Sequence, residues 1–412
     1  MPDVPAPRPE PGTGALARVL DLRSAVLLGL GSIVGTGVFV SLGLAAGVAG
    51  SAVLLAVVLA ALLATANGLS SAQLAAAHPT SGGTYEYAYR YLNRPLALVA
   101  GVTFLVAKSA SAATAALGVA GYMLSALDVE PTRLPRTAVA VAAITALTAI
   151  VAGGMRRSSR ANAIIVGVTL AGLAALVVAA LPAMLAHPDR LAPRFDDDTD
   201  LLHATALVFV AFTGYGRVAT LGEEVRDPTR TIPRAVLLSL AVAAALYVAV
   251  TAAALATLGA SGLTAATRAT SAPLEAAARA SALPSLHWAI GAAAITAMLG
   301  VILNLLLGLS RVVLAMARRR DLPSALAGVD ERATSPRAAV FAVGAVVAAL
   351  ALLGDVKLTW TLSAVTVLVY YAVTNLAALR LPARDRRFPR AIAVAGLVTC
   401  AGLAGWALAP LG

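Results

Sequence analysis

The stretch Leu28-Gly-Leu-Gly-Ser-Ile-Val-Gly-Thr-Gly-Val-Phe39 lies inside an apolar run that is long enough to span a lipid bilayer. Four of its twelve residues are glycines, and glycine weakens a helix interior because ordering it costs the most backbone entropy. In hydrocarbon a freed N–H or C=O group must find a partner, so an interrupted helix persists only where it lines a cavity in the protein. We therefore predict a binding site, where unpaired amides near Thr36 and Gly37 and the positive end of the following half-helix suit a carboxylate.

A second glycine-interrupted stretch, Phe209-Val-Ala-Phe-Thr-Gly-Tyr-Gly216, occurs about half a chain later. Interrupted spans at corresponding places in two halves of a membrane protein are typical of a transporter with inverted repeats. The pair of stretches therefore predicts a shared site between them.

Two other interpretations compete for the first stretch. Gly31 and Gly35 have the spacing of a close-packing face between membrane helices, and this interpretation stays open. A dinucleotide-binding loop is disfavoured because the run from Gly29 to Gly35 has one residue too many, follows no predicted strand and lacks a ribose-binding acid downstream.

The composition excludes an ordinary soluble enzyme. Of 412 residues, 59% are hydrophobic and 12% are charged, and the mean hydropathy is +0.86. These values indicate a polytopic membrane protein, whose partner is the lipid bilayer. The net charge of +11 would suggest nucleic acid in a soluble chain, but most arginines fall in short loops between apolar runs, so no nucleic-acid partner is expected.

Runs of about 20 apolar residues predict the transmembrane helices. We predict residues 1–20 to be a disordered tail, because their first part carries five prolines. The eleven predicted helices cover residues 24–48, 51–77, 95–126, 135–153, 161–186, 201–220, 232–258, 285–317, 336–354, 358–380 and 388–411.

The distribution of basic residues over the loops predicts the orientation. Twenty-one arginines fall on the side of the N-terminus and seven basic residues on the other, which predicts a cytoplasmic N-terminus. Lysine is nearly absent, which is typical of a GC-rich bacterial genome. We therefore expect the protein to lie in the bacterial cytoplasmic membrane. The predicted fold is all-α with broken helices 1 and 6: a first five-helix repeat over 21–190, a second, inverted repeat over 191–382, and a peripheral eleventh helix over 383–412.

Four stretches resemble the amino acid-polyamine-organocation (APC) superfamily of permeases. Together they extend over roughly residues 20 to 385, and the stretch at the sixth helix is the most specific. They are Gly31-Ser-Ile-Val-Gly-Thr-Gly-Val-Phe39, Pro79-Thr-Ser-Gly-Gly-Thr-Tyr-Glu-Tyr87, residues 209–233 with Thr213-Gly-Tyr-Gly-Arg217 and Asp227-Pro228, and Ser310-Arg-Val-Val-Leu-Ala-Met-Ala-Arg318 with Leu322-Pro323.

The resemblance implies a fold of five plus five inverted helices that moves amino acids or amines, often coupled to protons or by exchange. It places the substrate carboxylate on main-chain groups from Ile33 to Gly37, and the ammonium group on carbonyl groups of the first and sixth helices. Selectivity would come from side chains of the sixth helix and of helices 3 and 8. The substrate-binding residues so implied are Ser32, Ile33, Gly35, Thr36, Gly37, Phe209, Val210, Phe212, Thr213 and Tyr215.

This chain departs from the family in two places. The family often has a large aromatic gate where this chain has Val210, so closure over the substrate is expected to rest on Phe209 or Phe212. The family also often has an acid after the glycine-aromatic pair of the sixth helix, where this chain has Gly216 and Arg217.

Lys108 lies near the middle of the third predicted helix, which holds no other charged residue. An ammonium group at this depth costs about 2.5 to 3.5 kcal/mol on insertion scales, so it must be used or paired. Burial disfavours the charged form of lysine, which can allow it to bind and release protons. Proton-coupled relatives often carry a lysine on helix 5, where this chain aligns Thr169. Three roles for Lys108 stay open: titration during transport, a fixed cation, and packing against carbonyl groups.

Arg217 follows the second interruption and precedes Glu223 and Glu224 by about two turns. The simpler interpretation is an arginine that reaches the cytoplasmic face and pairs with one of these carboxylates. A link in a cytoplasmic gate is the functional alternative.

The predicted apolar spans contain no acidic residue, which favours neutral amino acids, since a cationic side chain would usually be offered a carboxylate. The four histidines show no metal-ligand spacing, and no cofactor, metal or enzymatic activity is expected. The predicted function is therefore a secondary amino acid transporter, with proton symport as the leading mechanism. Exchange, sodium coupling, transport of cationic amino acids or polyamines, and a transporter-like sensor or channel are the alternatives.

Overall fold

A computed structural model describes residues 20–78, 82–127, 129–130, 132–153, 159–194, 198–219, 225–329 and 336–408. Over these residues all regular secondary structure is helical, apart from one isolated bridge between Leu20 and Val225. The α-helices are α1 (Leu22–Ile33), α2 (Leu42–Ala49), α3 (Val53–Ala77), α4 (Thr84–Tyr91), α5 (Arg94–Ala126), α6 (Arg133–Ala152), α7 (Ser159–Ala186), α8 (Asp198–Phe212), α9 (Gly216–Ala219), α10 (Pro228–Thr270), α11 (Pro273–Arg279), α12 (Leu286–Arg318), α13 (Arg337–Leu352), α14 (Val356–Leu379) and α15 (Arg390–Leu408).

The first span is interrupted where the glycines predict it. Helix α1 begins at a capped end, where the Asp21 carboxylate accepts a 2.9 Å hydrogen bond from the Ser24 N–H. It ends at Ile33, and Val34 takes an extended conformation with φ −79° and ψ 97°. The chain becomes helical again through a π-helical turn, Gly37–Ser41, that leads into α2.

The second interruption is milder than the first. Helix α8 ends at Phe212, a 3₁₀ turn occupies Thr213–Tyr215, and α9 follows at Gly216. Both Phe212 and Gly216 keep right-handed helical dihedrals. The chain therefore tightens here into a 3₁₀ turn rather than unwinding.

The chain is a multi-pass membrane protein. Within the described residues, eight helical stretches are long and apolar enough to cross a bilayer, and the first of them, Leu22–Ala77, contains α1, α2 and α3. Helices α13 and α15 are apolar but shorter. The count of eleven spans and the division into two inverted repeats stay predictions.

Helices α4 and α11 lie outside the predicted spans, and helix α10 extends beyond its span. Helices α4 and α11 are eight and seven residues long and are too short to produce a membrane-length apolar run. Helix α10 runs past the predicted end of its span, through Gly259 with φ 68°, to Thr270. A left-handed φ favours glycine, so Gly259 marks the change of direction between the two parts of α10.

The packing places α1 and α8 among the longer helices. Helix α5 packs along α14 and α12, while α10 packs against α3, α1 and α7. Helix α15, predicted as peripheral, lies against α14 and α3. Its Cys400 Sγ donates to Asn67 Oδ1 at 3.4 Å, and Asn375 Nδ2 donates to the same oxygen at 2.6 Å.

Candidate functional site

The two interruptions are in direct contact. Gly214, in the turn between α8 and α9, lies against the main chain of Ser32 and Ile33, so closely that a methyl group at Gly214 would overlap the Ser32 carbonyl. Gly37 approaches α8 in the same way, since a Cβ there would lie 2.5 Å from the Ala211 Cβ. Only glycine fits at these two positions without moving a backbone, which explains why glycine interrupts both stretches.

A cavity of about 110 Å³ opens at this contact. Its walls come from the interruption in α1, from α5, from the turn after α8, and from α12 and α14. It extends to Gly82, in the loop after α3, and to Arg311, near the end of α12. Phe39, which follows the interruption in α1, is fully buried, and its ring packs edge-on against Tyr122 with centroids 5.9 Å apart. The Tyr122 hydroxyl also donates a hydrogen bond to the Phe39 carbonyl.

Most of the substrate-binding residues implied by the resemblance meet at this cavity. Those that line it are Ser32, Ile33, Thr36, Gly37, Val210 and Thr213. The cavity wall as described does not include Gly35, Phe209, Phe212 or Tyr215. Gly35 faces Val301 of α12, whereas the rings of Phe209 and Phe212 pack on Tyr371 and Tyr247.

The interruption in α1 leaves donors unpaired. Among the described residues, the N–H groups of Gly35 and Thr36 have no main-chain acceptor, as expected for the first turn of a helix. The Thr36 hydroxyl is buried and also lacks a hydrogen-bond partner in this part of the chain. An unpaired buried donor costs about 1–3 kcal/mol, so this arrangement favours an anionic ligand that accepts from these groups.

The carbonyl groups around the cavity are partly occupied. The Ile33 carbonyl accepts a 2.8 Å hydrogen bond from the Tyr247 hydroxyl, and the Val210 carbonyl accepts one of 2.7 Å from the Thr213 hydroxyl. A carbonyl oxygen has two lone pairs, so each can still accept a second donor.

Lys108 is buried in the wall of the cavity, with 8% of its surface exposed. Its Nζ donates a 2.7 Å hydrogen bond to Thr213 Oγ1. The Thr213 hydroxyl thus accepts from Lys108 while it donates to Val210. Thr213 therefore serves mainly to join α5 to the turn after α8, and its hydrogen is not free for a ligand.

The charged side chains that line the described cavity are all basic. They are Lys108, Arg217 and Arg311, of which both arginines have further interactions. Glu223 and Glu224, the predicted partners of Arg217, lie outside the described residues. The predicted pairing is therefore not tested.

Aromatic residues that the sequence analysis missed form one side of the cavity. Phe104 packs against Tyr370 with ring centroids 5.2 Å apart, and Tyr370 packs against Tyr371 at 5.0 Å. Trp360 also lines the cavity and donates from Nε1 to the Leu207 carbonyl at 2.9 Å. The signal for this wall was present as the adjacent pair of tyrosines in the predicted span 358–380.

The loops that carry the second and fourth resembling stretches meet around Asp321. Its carboxylate accepts hydrogen bonds from the hydroxyls of Tyr85 and Tyr89, at 2.7 and 2.5 Å, and pairs with Arg94 at 2.9 Å. Burial alone would raise the pKa of Asp321, but these hydrogen bonds outweigh it and hold the pKa below its ordinary value. Arg319, which pairs with Glu86 at 2.6 Å, adds a second link between the same loops.

The profile of the family described as amino acid permease matches residues 20–410. An uncharacterized transporter of Mycobacterium tuberculosis is 44% identical over 390 residues, which cover 94% of this chain and 86% of that relative. The branched-chain amino acid permease BcaP of Bacillus subtilis is 28% identical, covering 95% of this chain and 87% of BcaP. The crystal structure of MhsT in complex with L-phenylalanine matches with a TM-score of 0.69 at 16% identity, covering 96% of this chain and 99% of MhsT, and this likeness shows a shared fold.

Proposed function

The chain belongs to the amino acid permease family, and from this membership we propose that it moves neutral amino acids across the bacterial cytoplasmic membrane by alternating access, coupled to protons. The observation that carries the proposal is the contact of Gly214 with the interrupted α1 at the edge of a cavity that also holds Lys108. In this arrangement, main-chain groups can donate to and accept from a zwitterion, and the basic side chain of Lys108 can bind the proton.

Main-chain groups recognise the part that all amino acids share. In this proposal the substrate carboxylate accepts from the N–H groups of Gly35 and Thr36, where the helix dipole also favours an anion. The ammonium group donates to the free lone pairs of the Ile33 and Val210 carbonyls. The substrate side chain then lies toward Phe104 and the tyrosines of α14.

The charge of the cavity disfavours cationic substrates. Lys108 lines the cavity, and no carboxylate does so among the residues that the structure describes. A lysine, arginine or polyamine substrate would bring a like charge into a site of low dielectric without a counter-charge, which opposes binding. Neutral side chains carry no such cost.

Lys108 is the proposed site of proton binding. It is buried in the cavity wall, and its hydrogen bond to Thr213 uses one of its three N–H groups. The substrate carboxylate favours the ammonium form of Lys108 when both are present. Substrate and proton would therefore bind with positive coupling, as a symporter requires.

Exchange is the second candidate, and the same hydrogen bond supports it. If Lys108 stays protonated throughout transport and acts as a fixed link between α5 and the turn after α8, no proton is moved with the substrate. The protein would then exchange amino acids at equal rates in both directions.

The proposed orientation places the N-terminus in the cytoplasm, as the arginine distribution indicates. The cavity extends to the loop after α3, on the side of the membrane where α1 begins. The structure would accordingly represent a state that faces the cytoplasm. The proposed repeats, 21–190 and 191–382, would each begin with an interrupted span.

A binding screen tests the proposal. The purified full-length protein is heated in detergent with each of the twenty amino acids at pH 5.5 and pH 7.5, and its melting temperature is compared with that of the protein alone. We expect one or more neutral amino acids to stabilise the protein through binding, and lysine and arginine to leave it unchanged. Stabilisation by the cationic amino acids alone would refute the substrate class, and stabilisation by none would refute the site. Accumulation against a gradient in liposomes then separates a carrier from a sensor or a channel.

A further inference from the structure

One polar side chain of α12 lines the cavity without a hydrogen bond. Asn304 forms part of the cavity wall, and its carboxamide makes no hydrogen bond to any residue that the structure describes. It is also the only polar side chain of α12 between Thr296 and Ser310. A polar side chain in a membrane helix usually bonds to its own backbone or to a neighbouring helix. Helix packing therefore does not account for the position of Asn304.

The other four asparagines of the chain show the usual arrangement. Asn93 caps the start of α5, and Asn67, Asn162 and Asn375 each donate to an oxygen of a described residue. Asn304 differs from all four because it faces space that a ligand can occupy. Its carboxamide is therefore available to a ligand.

Asn304 lies one helical turn from the place where α12 meets the interrupted α1. A methyl group at Gly35 would overlap the Val301 side chain, so Val301 marks this contact. Asn304 follows Val301 by three residues, which corresponds to about 4.5 Å along the axis, and residues at this spacing share one face of a helix. A ligand whose carboxylate accepts from Gly35 and Thr36 can therefore place the end of its side chain beside Asn304.

Space for such a side chain lies next to Asn304. Gly308, one further turn along α12, also lines the cavity, and a Cβ at Gly308 would meet no atom of another described element within 4 Å. The ring of Phe104 from α5 lines the same cavity. An aliphatic stem can therefore pack on this ring while the polar end of the side chain reaches the carboxamide.

The carboxamide of Asn304 selects for a polar partner. Water can bond to it in the open cavity, but a substrate side chain that displaces this water must replace its hydrogen bonds. An apolar end leaves the donors and the acceptor unpaired, and a site of this kind rejects analogues that lack the hydrogen-bonding group. Because a carboxamide has two N–H donors and one acceptor oxygen, a second carboxamide can pair with it through two N–H···O bonds.

Other polar ends match Asn304 less completely. An ionised carboxylate only accepts, so it would leave the oxygen of Asn304 without a donor. The charges of the cavity do not require an acidic side chain either. Lys108 is balanced by the substrate carboxylate in the proposed binding mode, and Arg217 and Arg311 have further interactions.

We propose that Asn304 selects amino acids with a carboxamide side chain, glutamine or asparagine, an inference that rests on the proposed function and names its substrate class. The substrate carboxamide forms two hydrogen bonds with Asn304. Main-chain groups at the interrupted α1 hold the carboxylate and ammonium groups of the same molecule.

Pairs of amino acids with nearly equal shape test this inference. Glutamine is compared with methionine, and asparagine with leucine, by titration of the purified full-length protein in detergent. Asn304→Leu keeps the size of the side chain and removes its polar group. Thr296→Val is the matched control, because Thr296 is a polar residue of α12 that donates to the Ala292 carbonyl of its own helix and is not part of the described cavity wall.

We expect the wild type to bind at least one of the two amides about tenfold or more tightly than its apolar counterpart. Asn304→Leu should abolish or reverse this preference, and Thr296→Val should keep it. If the leucine variant does not fold, Asn304→Ala decides, since alanine is the best helix former.

Three results would overturn the inference. They are equal affinities within both pairs in the wild type, an unchanged preference in Asn304→Leu, and tighter binding of glutamate or aspartate than of the amides. Each of them leaves the proposed function in place if neutral amino acids still bind. If the wild type binds no neutral amino acid, the proposed function is refuted and the inference fails with it.

Discussion

The Nζ of Lys108 lies 2.7 Å from the Thr213 hydroxyl and joins the middle of α5 to the 3₁₀ turn that follows α8. Thr213 in turn donates to the Val210 carbonyl, and its own carbonyl accepts from the Tyr371 hydroxyl at 3.4 Å. Lys108 of α5 and Tyr371 of α14 thus both form hydrogen bonds to this turn. Because Gly214 in the same turn touches the interrupted α1, we expect a change in the charge of Lys108 to affect the contact between the two interruptions.

Replacing Lys108 with methionine should abolish the pH dependence of uptake. Methionine fills a similar volume but cannot bind a proton, so net uptake should fall and should no longer change between pH 5.5 and pH 7.5. The measurement is the initial rate of uptake in liposomes at both pH values. Lys357→Met, at the exposed start of α14, is the control and should keep the wild-type profile. A wild-type profile in Lys108→Met would exclude the titrating role.

Replacing Thr213 with valine should alter the pH profile of uptake without abolishing substrate binding. Valine keeps the shape but offers no oxygen, so the Lys108 amine loses its described partner and the turn loses its link to α5. We expect the pH at half-maximal uptake to shift, and Thr213→Ser to restore the wild-type value because it retains the hydroxyl. Equal profiles for the valine, serine and wild-type proteins would show that this hydrogen bond has no part in coupling.

Replacing Gly214 with alanine should weaken substrate binding by about tenfold or more, which corresponds to about 1.4 kcal/mol. The added methyl group would overlap the Ser32 main chain, and a backbone cannot move aside as a flexible side chain can. Binding is measured by titration of the amino acid found in the thermal screen. Gly402→Ala is the control, since a Cβ at Gly402 meets no described atom within 4 Å. Equal affinities for both variants would contradict the proposed contact.

Replacing Asp321 with asparagine should destabilise the protein by about 2 kcal/mol or more, because Tyr85, Tyr89 and Arg94 lose a charged acceptor. Thermal unfolding in detergent measures the effect. Asp385→Asn is the control, because its ion pair with Arg384 is exposed and loose at 3.8 Å. A similar melting temperature for the two variants would show that the Asp321 contacts contribute little.

The depressed pKa of Asp321 also predicts how acid changes the stability of the fold. Since the pKa is lower in the folded protein than its ordinary value of 3.8, the charged carboxylate stabilises the fold above that pH. This contribution is lost as the pH falls below 3.8 through the folded pKa. Unfolding midpoints measured from pH 5 downward should therefore converge for the wild type and Asp321→Asn. A gap that persists at the lowest pH would contradict the assignment.

The long helices could be predicted because a membrane requires about 20 apolar residues for each crossing. The first interruption was predictable as well, since glycine weakens a helix interior and the chain is extended at Val34, next to Gly35, although Gly29 and Gly31 lie inside α1. The second stretch was predicted to break in the same way, but the structure shows a 3₁₀ turn at Thr213–Tyr215. Tertiary contacts decide whether such a stretch becomes an extended break or a 3₁₀ turn. The sequence pattern does not show those contacts.

The site could be predicted only in part, for a similar reason. Main-chain positions such as Thr36 and Gly37 follow from the interruption itself. The aromatic wall depends on which face of α5 and α14 turns inward and on which helices lie opposite, and the tyrosine pair of α14 does not identify the helix that it faces. Phe104 and Tyr370 were therefore missed, while Phe209 and Phe212 were implied as substrate-binding but pack behind the cavity wall.

The hydroxyl pairs between α5 and α14 could not be found from the sequence either. Ser111 and Thr114 have helical spacing, but serine and threonine are common in membrane helices, where they usually bond to their own backbone. Only the position of α14 opposite α5 brings Ser363 and Thr359 to within 2.7 Å of them.

The most direct measurement is an experimental structure of the full-length protein with the amino acid that stabilises it best in the thermal screen. The account predicts that the ligand lies in the cavity beside Lys108, with its carboxylate within about 3.2 Å of the N–H groups of Gly35 and Thr36. A ligand bound elsewhere, or one whose carboxylate points away from the interrupted α1 while the cavity stays empty, would contradict it.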